Sequence, residues 1–406
     1  MVFLTSGLVA LLGLGLRSIV NVKSQDTVAG VASSQIVTID TRKFNVLGID
    51  GDFRTNASSQ LFNPTNTTPP FFQAFDPAFL SVLGKNPSIR SIVSNPSFAF
   101  AHEAPIWLPS TDEVFFASND GGPLGMSDIN NNNQYAKISL KEVASSIQAA
   151  GGDSVNISVT KLDLPDTVQM TNGGTGPFRG ALLLVNSGRG PIPPSIALVD
   201  PSNPQNTTII LDNFFGRQFN SLNDVKIHRQ SGKIFFTDTF YGFLNEFRPS
   251  PLLPGQVYRF DPDTGDVRVV ADGFNKPNGI ALSQDGKSAF VTDTGTIGGT
   301  PTDPATIYKF DIDPTTQAFL NRKVFAFTDA GIPDGIQLDS KGNVYSGCAD
   351  GTQVWNPEGK LIGKFFLGTL SANMIFAGKG RLVIMGETSI FFAEIAAEGF
   401  DLSFES

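Results

Sequence analysis

NSLNDVKIHRQSGKIFFTDTF, Asn220 to Phe240, is echoed twice further along the chain. The echoes are KPNGIALSQDGKSAFVTDTG, Lys276 to Gly295, and IPDGIQLDSKGNVYSGCADG, Ile332 to Gly351. Each stretch opens on a short polar residue (Asn223, Asn278, Asp334), continues as an alternating strand, turns at a glycine (Gly232, Gly286, Gly342) and returns as a more apolar strand. The three polar residues are 55 and then 56 positions apart. A fixed period of this size in all-β sequence signals a radial or stacked repeat rather than an ordinary sandwich. The reading is an all-β fold: a six-bladed β-propeller with an N-terminal extension and a short inserted helix.

In a propeller the innermost strands run beside a central channel, so one position in every repeat points at the same axis. Asn223, Asn278 and Asp334 then converge, and Glu103, which opens a strand, turn, strand unit in AHEAPIWLPSTDEVFFASN, joins them. Two carboxylates and two amides offer the oxygen donors that a hard divalent cation such as Ca²⁺ requires. The remaining units are GALLLVNSGRG with SIALVDP and TTIILDNF, opened by a turn at Asn172-Gly173-Gly174, and ANMIFAGKGRLVIMGETSIFFAEIA, opened by Asn373. That makes six starting positions.

With 406 residues, 40% of them hydrophobic, and 41 Gly, 26 Pro and 35 Phe, the chain suits a turn-rich β architecture with aromatic packing between blades. A net charge of −9 without a Lys/Arg run argues against a nucleic-acid partner. The N-terminal run MVFLTSGLVALLGLGL has the size of a secretory h-region and is short for a membrane span, although no basic residue precedes it. Residues 1–24 are therefore read as a signal peptide, 25–95 as an extension that wraps or closes the ring, 96–398 as the propeller and 399–406 as a tail. Secretion without stable membrane association follows, and the acceptor tripeptides at Asn56, Asn66, Asn156 and Asn206 fit a glycoprotein. Oligomeric state is not legible.

Within the extension, one of the apolar pieces SQIVTID and KFNVLGID is expected to add a ring-closing strand. In DPAFLSVLGK, Asp76 and Pro77 are placed to start a short helix. Ser139 and Glu142 at capping-box spacing, with Gly151 at the end, mark the inserted helix, which would be a lid, a rim element or filler. The single cysteine, Cys348, sits in an apolar strand and reads as a buried thiol.

Only His102 and His228 are present, so a three-histidine zinc site is excluded, and no G-x-S-x-G, G-x-G-x-x-G or P-loop occurs. Asp224 is either an acceptor behind the ligands or a turn residue. His228 is expected on the surface. Regular alternation would turn His102 away from the side that Glu103 faces, so its catalytic role stays open. Phe240 and Tyr241 offer an apolar wall for a substrate, or packing between blades. Asn172 and Asn373 are candidate hydrogen-bond partners in the channel.

The set E-x-P (Glu103 to Pro105), N-D (Asn223, Asp224), P-N-G (Pro277 to Gly279) and P-D-G (Pro333 to Gly335) resembles the senescence marker protein, gluconolactonase and luciferin-regenerating enzyme family. FFGRQFNSLNDV, FFTDTFYGFLNEFRP, VWNPEGKLIGK and FAGKGR look more closely like the secreted fungal lactonohydrolases that open aldonolactones and D-pantolactone. The resemblance implies a calcium-type ion held by Glu103, Asn278 and Asp334, with Asn223 near metal and substrate, and Asp334 handling the proton of the attacking water. Animal sugar-acid lactonases place an arginine two positions before the asparagine that matches Asn223; here that position is Ser221.

Opening a lactone, a cyclic ester, requires an activated water, a stabilised oxyanion and a proton for the leaving alkoxide. A divalent ion in a partly dry channel serves the first two. The expected assignment is metal on Glu103, Asn223, Asn278 and Asp334, with Asp334 or His102 as the base and a small-molecule lactone as substrate. An aspartate on a cation is a poor base, which favours a role for Asp334 in orienting the water. Two alternatives stay open: an arylesterase or phosphotriesterase-like propeller, and a non-catalytic binding module stabilised by calcium.

Overall fold

The computed structural model describes residues 34–55, 60–151 and 155–405. Six sheets, antiparallel except for one parallel strand pair at the outer edge of the fifth, radiate from one axis. Their innermost strands are Glu103–Leu108, Thr171–Phe178, Leu222–His228, Pro277–Leu282, Ile336–Leu338 and Asn373–Phe376, which number blades 1 to 6 in chain order. Blade 3 shows the pattern: Leu222–His228 pairs with Lys233–Asp238, that strand with Gln256–Phe260, and that one with Val267–Ala271. The Asn172-Gly173-Gly174 segment is not a turn. It lies inside the fully buried inner strand of blade 2.

The core lies between the blades. Phe235 of blade 3 stacks on Phe319 of blade 4 with ring centroids 5.6 Å apart, and both belong to an apolar cluster drawn from those two blades. Buried Phe219, Phe236 and Tyr258 pack together on the other side of blade 3. Aromatic pairs of this kind add about 1 kcal/mol beyond the area they bury, which explains the heavy use of Phe in a fold whose blades must grip their neighbours.

The ring is closed by Ser88–Ser94, the outer strand of blade 6, which runs antiparallel to Ser389–Glu394. The apolar piece SQIVTID does form a strand, Ile36–Thr38, but on the outside of blade 5, beside Phe71–Ala74, which itself pairs with Leu361–Phe366. Arg381 of blade 6 donates to both carboxylate oxygens of Asp112 of blade 1 (2.8 and 3.0 Å) across the closing seam.

Asp76 accepts from the Ala78 N–H (2.8 Å) and starts the helix Pro77–Leu83. The inserted helix, Leu140–Ala150, is capped by Ser139 and ends at left-handed Gly151. Its Leu140 N–H is bound to the carbonyl of Asp112, in the turn between the first and second strands of blade 1. That turn lies at the end of the ring away from the inner-strand starts, so the helix is not a lid over them. Across the same end runs the C-terminal tail, with Ser340 N–H on the Glu398 carbonyl and Phe404 stacked on Phe178. A cavity of about 330 Å³ opens there, lined by Trp107, Gln337, Phe376 and Phe400.

His228 is buried rather than on the surface, because its ring reaches the next blade: Nε2 lies 3.0 Å from the Gly286 carbonyl and Nδ1 2.9 Å from Ser231 Oγ. Cys348 is buried, and burial pushes its thiol well up from its usual range.

Blade 5 carries a fully buried ammonium. Lys364 Nζ donates to Asp329 (2.5 Å) and Asp350 (2.6 Å), and Asp329 also receives Arg54 from the extension. Burial raises the Asp329 carboxyl, but Lys364 and Arg54 outweigh it and hold the group below its usual range. Removing one partner of a buried ion pair leaves an uncompensated charge, so Lys364→Met is expected to lower unfolding free energy by about 3 kcal/mol or more in urea titration. Because the native Asp329 carboxyl titrates low, its contribution is complete above pH about 4 and disappears as the pH falls toward the native value. In the parent protein, acid should weaken the attachment of the extension, and in Lys364→Met this acid dependence should be smaller.

Candidate metal centre

The inner strands begin irregularly, and that irregularity aims the site. Pairing registers shift between Glu103 and Ile106, Thr171 and Gly173, Leu222 and Val225, and Pro277 and Ile280. Such bulges re-aim side chains at the rim of a sheet. In blade 1 the inner strand begins at Glu103, so His102 lies just outside it and is not bound by strand alternation; both side chains line the axial cavity. Regular alternation would have separated them.

Glycine follows three of these polar residues because the next blade leaves no room for a side chain. A Cβ on Gly173 would sit 2.2 Å from the Asn223 carbonyl oxygen, one on Gly279 2.5 Å from that of Asp334, and one on Gly335 2.2 Å from the Asn373 amide carbon. The repeated T-D of FFTDTF and FVTDTG completes the frame. Thr237 Oγ1 donates to the Asn278 carbonyl (2.7 Å) and Thr292 Oγ1 to the Asp334 carbonyl (3.0 Å), each bracing the following blade. Asp238 accepts the N–H groups of Asn220 and Ser221, and Asp293 those of Asn275 and Lys276, fixing the loops that lead into the inner strands.

His102, Glu103, Asn172, Asn223, Asn278 and Asp334 form the floor of a cavity of about 480 Å³. One potential ligand atom each from His102, Glu103 and Asp334 lie within 4.8 Å of one another. Glu103 Oε2 is held by Asn373 Nδ2 (2.7 Å), which places Asn373 behind the floor rather than in it. The side-chain oxygens of Asn172, Asn223 and Asn278 are buried without a hydrogen-bond partner. An unsatisfied buried carbonyl costs roughly 1–3 kcal/mol, and three on one floor beside two carboxylates fit the donor set of an oxygen-liganded cation.

The electrostatics agree. Burial, then the neighbouring Asp334, pushes the Glu103 carboxyl well above its usual range, and burial lifts Asp334 to about 6. Burial lowers the His102 imidazole, but Glu387 above all, with Glu103 and Asp334, overcomes this and raises it to about 10. No Lys or Arg is among the described residues lining the cavity. The floor is short of positive charge, which a divalent cation there would supply.

Glu387, Asn119 and Asp120 belong to this site, and no sequence motif marks them. Glu387 Oε1 lies 2.5 Å from His102 Nδ1, and its Oε2 accepts from Asn119 Nδ2 (3.1 Å). Its backbone is left-handed (φ 63°) and pairs with Ala101, which pins the loop of blade 6 beside His102. Asp120 accepts from Asn172 Nδ2 (3.0 Å) and Ser187 Oγ (3.1 Å), leaving the Asn172 oxygen as the free end; burial raises Asp120 to about 6. Only their convergence in space could have found them.

The other candidates are placed as follows. Tyr241 lines the cavity wall, with its hydroxyl on Thr294 Oγ1. Phe240 is not among the lining residues; its ring lies 3.3 Å from where a Cβ on Gly255 would be, at the junction of blades 3 and 4. Asp224 is paired with buried Lys226 (3.0 Å) and accepts the Ile280 N–H of blade 4 (2.9 Å), a link between blades. Ser221 Oγ accepts the Gly242 N–H (3.0 Å), so the position that carries an arginine in animal sugar-acid lactonases serves here to seat the short helix Tyr241–Leu244.

A profile of the SMP-30/Gluconolactonase/LRE-like region matches residues 103–385. The chain is 29% identical to lactonohydrolase oryL of Aspergillus oryzae, over 83% of this chain and 77% of that protein. It is 30% identical to the gluconolactonase of Zymomonas mobilis, over 47% of this chain and 54% of that one. Among solved structures, a gluconolactonase of Xanthomonas campestris superimposes with a TM-score of 0.62 at 23% identity, covering 80% of this chain and 94% of its own. The calcium-binding protein regucalcin of Agrobacterium tumefaciens does so with a TM-score of 0.55 at 16% identity, covering 78% and 98%.

The glycine contacts yield a test of the frame. Gly279→Ala drives a methyl group into the Asp334 backbone, so the variant is expected to lose roughly 1–3 kcal/mol of stability by overpacking. Divalent-cation affinity measured by isothermal titration should fall with it. Gly265→Asn, at a left-handed position (φ 79°) that asparagine tolerates and with no neighbour within 4 Å of the missing Cβ, should leave divalent-cation affinity at the parent value.

Proposed function

Because the chain belongs to the SMP-30/gluconolactonase/LRE-like family, we propose that it hydrolyses a lactone ring of the aldonolactone or pantolactone kind to the hydroxy acid in this cavity. The observation that carries the reading is the convergence of three unpartnered amide oxygens with Glu103 and Asp334 on one buried floor. Glu103, Asn223, Asn278 and Asp334 would hold a divalent ion, with Asn172 offering a fifth oxygen. All-oxygen donors favour Ca²⁺ over softer metals. When bound, such an ion polarises the lactone carbonyl and makes a coordinated water more acidic.

The residues divide the remaining work. Asp334, committed to the cation, is a poor proton acceptor, and its carboxylate instead orients the attacking water. A cation held by Glu103 and Asp334 would offset two of the three carboxylates that raise the His102 imidazole. With Nδ1 tied to Glu387, Nε2 is then the atom that carries the proton from that water to the ring oxygen as the ester bond breaks. Glu387 and Asn119 hold the imidazole in place. Tyr241 and the apolar rim limit water in the cavity, where fixed charges act more strongly than in bulk solvent.

We also place the protein outside the cell. The apolar run within residues 1–24 lies outside the described residues, as does Asn56; the other three acceptor asparagines, Asn66, Asn156 and Asn206, are exposed. Among the described residues no helix is long and apolar enough to cross a membrane.

The test is acid release followed by pH-stat on D-pantolactone, D-glucono-1,5-lactone and an aryl ester. Lactone hydrolysis that a chelator abolishes and Ca²⁺ restores is the expected result. Preference for the aryl ester would favour an esterase, and calcium-dependent melting without turnover would favour a binding module. Asp334→Ala should lower kcat/KM by roughly 10²-fold or more. Glu387→Gln should lower kcat about tenfold or more with KM little changed, since it disturbs a proton carrier rather than a binding contact.

A further inference from the structure

The floor of the cavity is polar, whereas its collar is hydrocarbon. Above the ligand oxygens the wall is made by Ala99, Pro123, Leu124, Ile297, Ile332 and Leu370. Leu124 is 45% exposed and Ile297 42%, and Leu244, beside Gly298, continues the patch outward at 38%. The backbone that carries them is hydrogen-bonded. The Leu124 carbonyl accepts the Ala99 N–H (2.9 Å), and the Ile297 N–H is on the Thr294 carbonyl (2.9 Å). An exposed apolar ring around a polar floor marks a surface that an apolar partner covers.

Most polar groups of the wall are already engaged. Tyr241 is bound to Thr294, Asn245 Nδ2 to the Asp120 carbonyl (3.0 Å), and Asn119 to both Glu387 and the Gly122 N–H. The nearby guanidinium of Arg248 is spent on the carbonyls of Gly190 and Ile192, and Ser221 on the Gly242 N–H. A substrate with a hydroxyl on every ring carbon would therefore bury most of those hydroxyls against hydrocarbon with few partners, a mismatch that sites discriminate against strongly. The cavity, at about 480 Å³, is also of a size that takes a ligand larger than a bare lactone ring.

We propose that the substrate is a lactone bearing a hydrocarbon substituent, with the ester group on the polar floor and the substituent inside the Leu124/Ile297 collar. This rests on the lactone-hydrolysis reading above and narrows it away from polyhydroxylated sugar lactones.

The test compares kcat/KM of the calcium-loaded, full-length protein for γ-valerolactone, γ-heptalactone, γ-nonalactone and D-glucono-1,5-lactone by pH-stat. The expected result is a rise of roughly three- to fourfold per methylene while the collar covers the chain, and at least tenfold preference for γ-nonalactone over the sugar lactone. Ile297→Ser and Leu124→Ser, each checked for a parent-like melting temperature, should flatten the rise. A flat series, or faster turnover of D-glucono-1,5-lactone, would overturn the proposal while leaving lactone hydrolysis standing. Failure to hydrolyse any of the four, with no turnover of D-pantolactone either, would overturn both.

Discussion

Burying two carboxylates and three amide oxygens together at the axis of a protein is costly, and the inner ends of the blades are organised around that cost. Glu103 and Asp334 are both pushed up by burial, no lysine or arginine lines the cavity among the described residues, and three Asn oxygens have no partner. A cluster like this persists only if the surrounding structure over-determines it. The surroundings do so through the next-blade glycine contacts, the threonine braces on the ligand carbonyls, and the Asn373 and Asp120 hydrogen bonds that lock Glu103 and Asn172.

The stiffness needed for this comes from elsewhere in the ring. Each blade is joined to the next by apolar clusters and by polar stitches such as Asp224 to Ile280 and His228 to Gly286. Closure is divided between the strand Ser88–Ser94, which completes blade 6, and the Asp112–Arg381 pair at its seam with blade 1. Work at the inner-strand starts is thereby separated from packing at the opposite end, where the inserted helix and the C-terminal tail lie.

The repeat was legible because a propeller applies one constraint at a regular interval. Asn223, Asn278 and Asp334 recur at the period of the blades, and Glu103 extends the set. What escaped was whatever local rules describe poorly. Asn172-Gly173-Gly174 has the composition of a turn, yet Gly173 is glycine because a neighbouring strand passes too close, not because the chain reverses. His102 escapes alternation because the inner strand starts only at Glu103, while the Ala101–Glu387 bridge sets the chain before it. Glu387 lies 285 positions from His102 and meets it only because the ring closes. His228 sits next to a surface turn in sequence but packs into the neighbouring blade.

The fold also separates two recognition tasks. Atoms at the inner-strand starts are set by the repeat. The collar comes from blade connections, which vary without disturbing the ring, so it is where this chain can differ from its relatives.

The central claim is that side chains from blades 1, 3, 4 and 5 share one divalent cation. Crystals grown with Ca²⁺ and measured at long wavelength test it directly through the anomalous difference map. The account predicts one peak at the axis, about 2.3–2.6 Å from oxygens of Glu103, Asn223, Asn278 and Asp334. An ordered site with no peak there, or a peak bound only elsewhere on the ring, would contradict it.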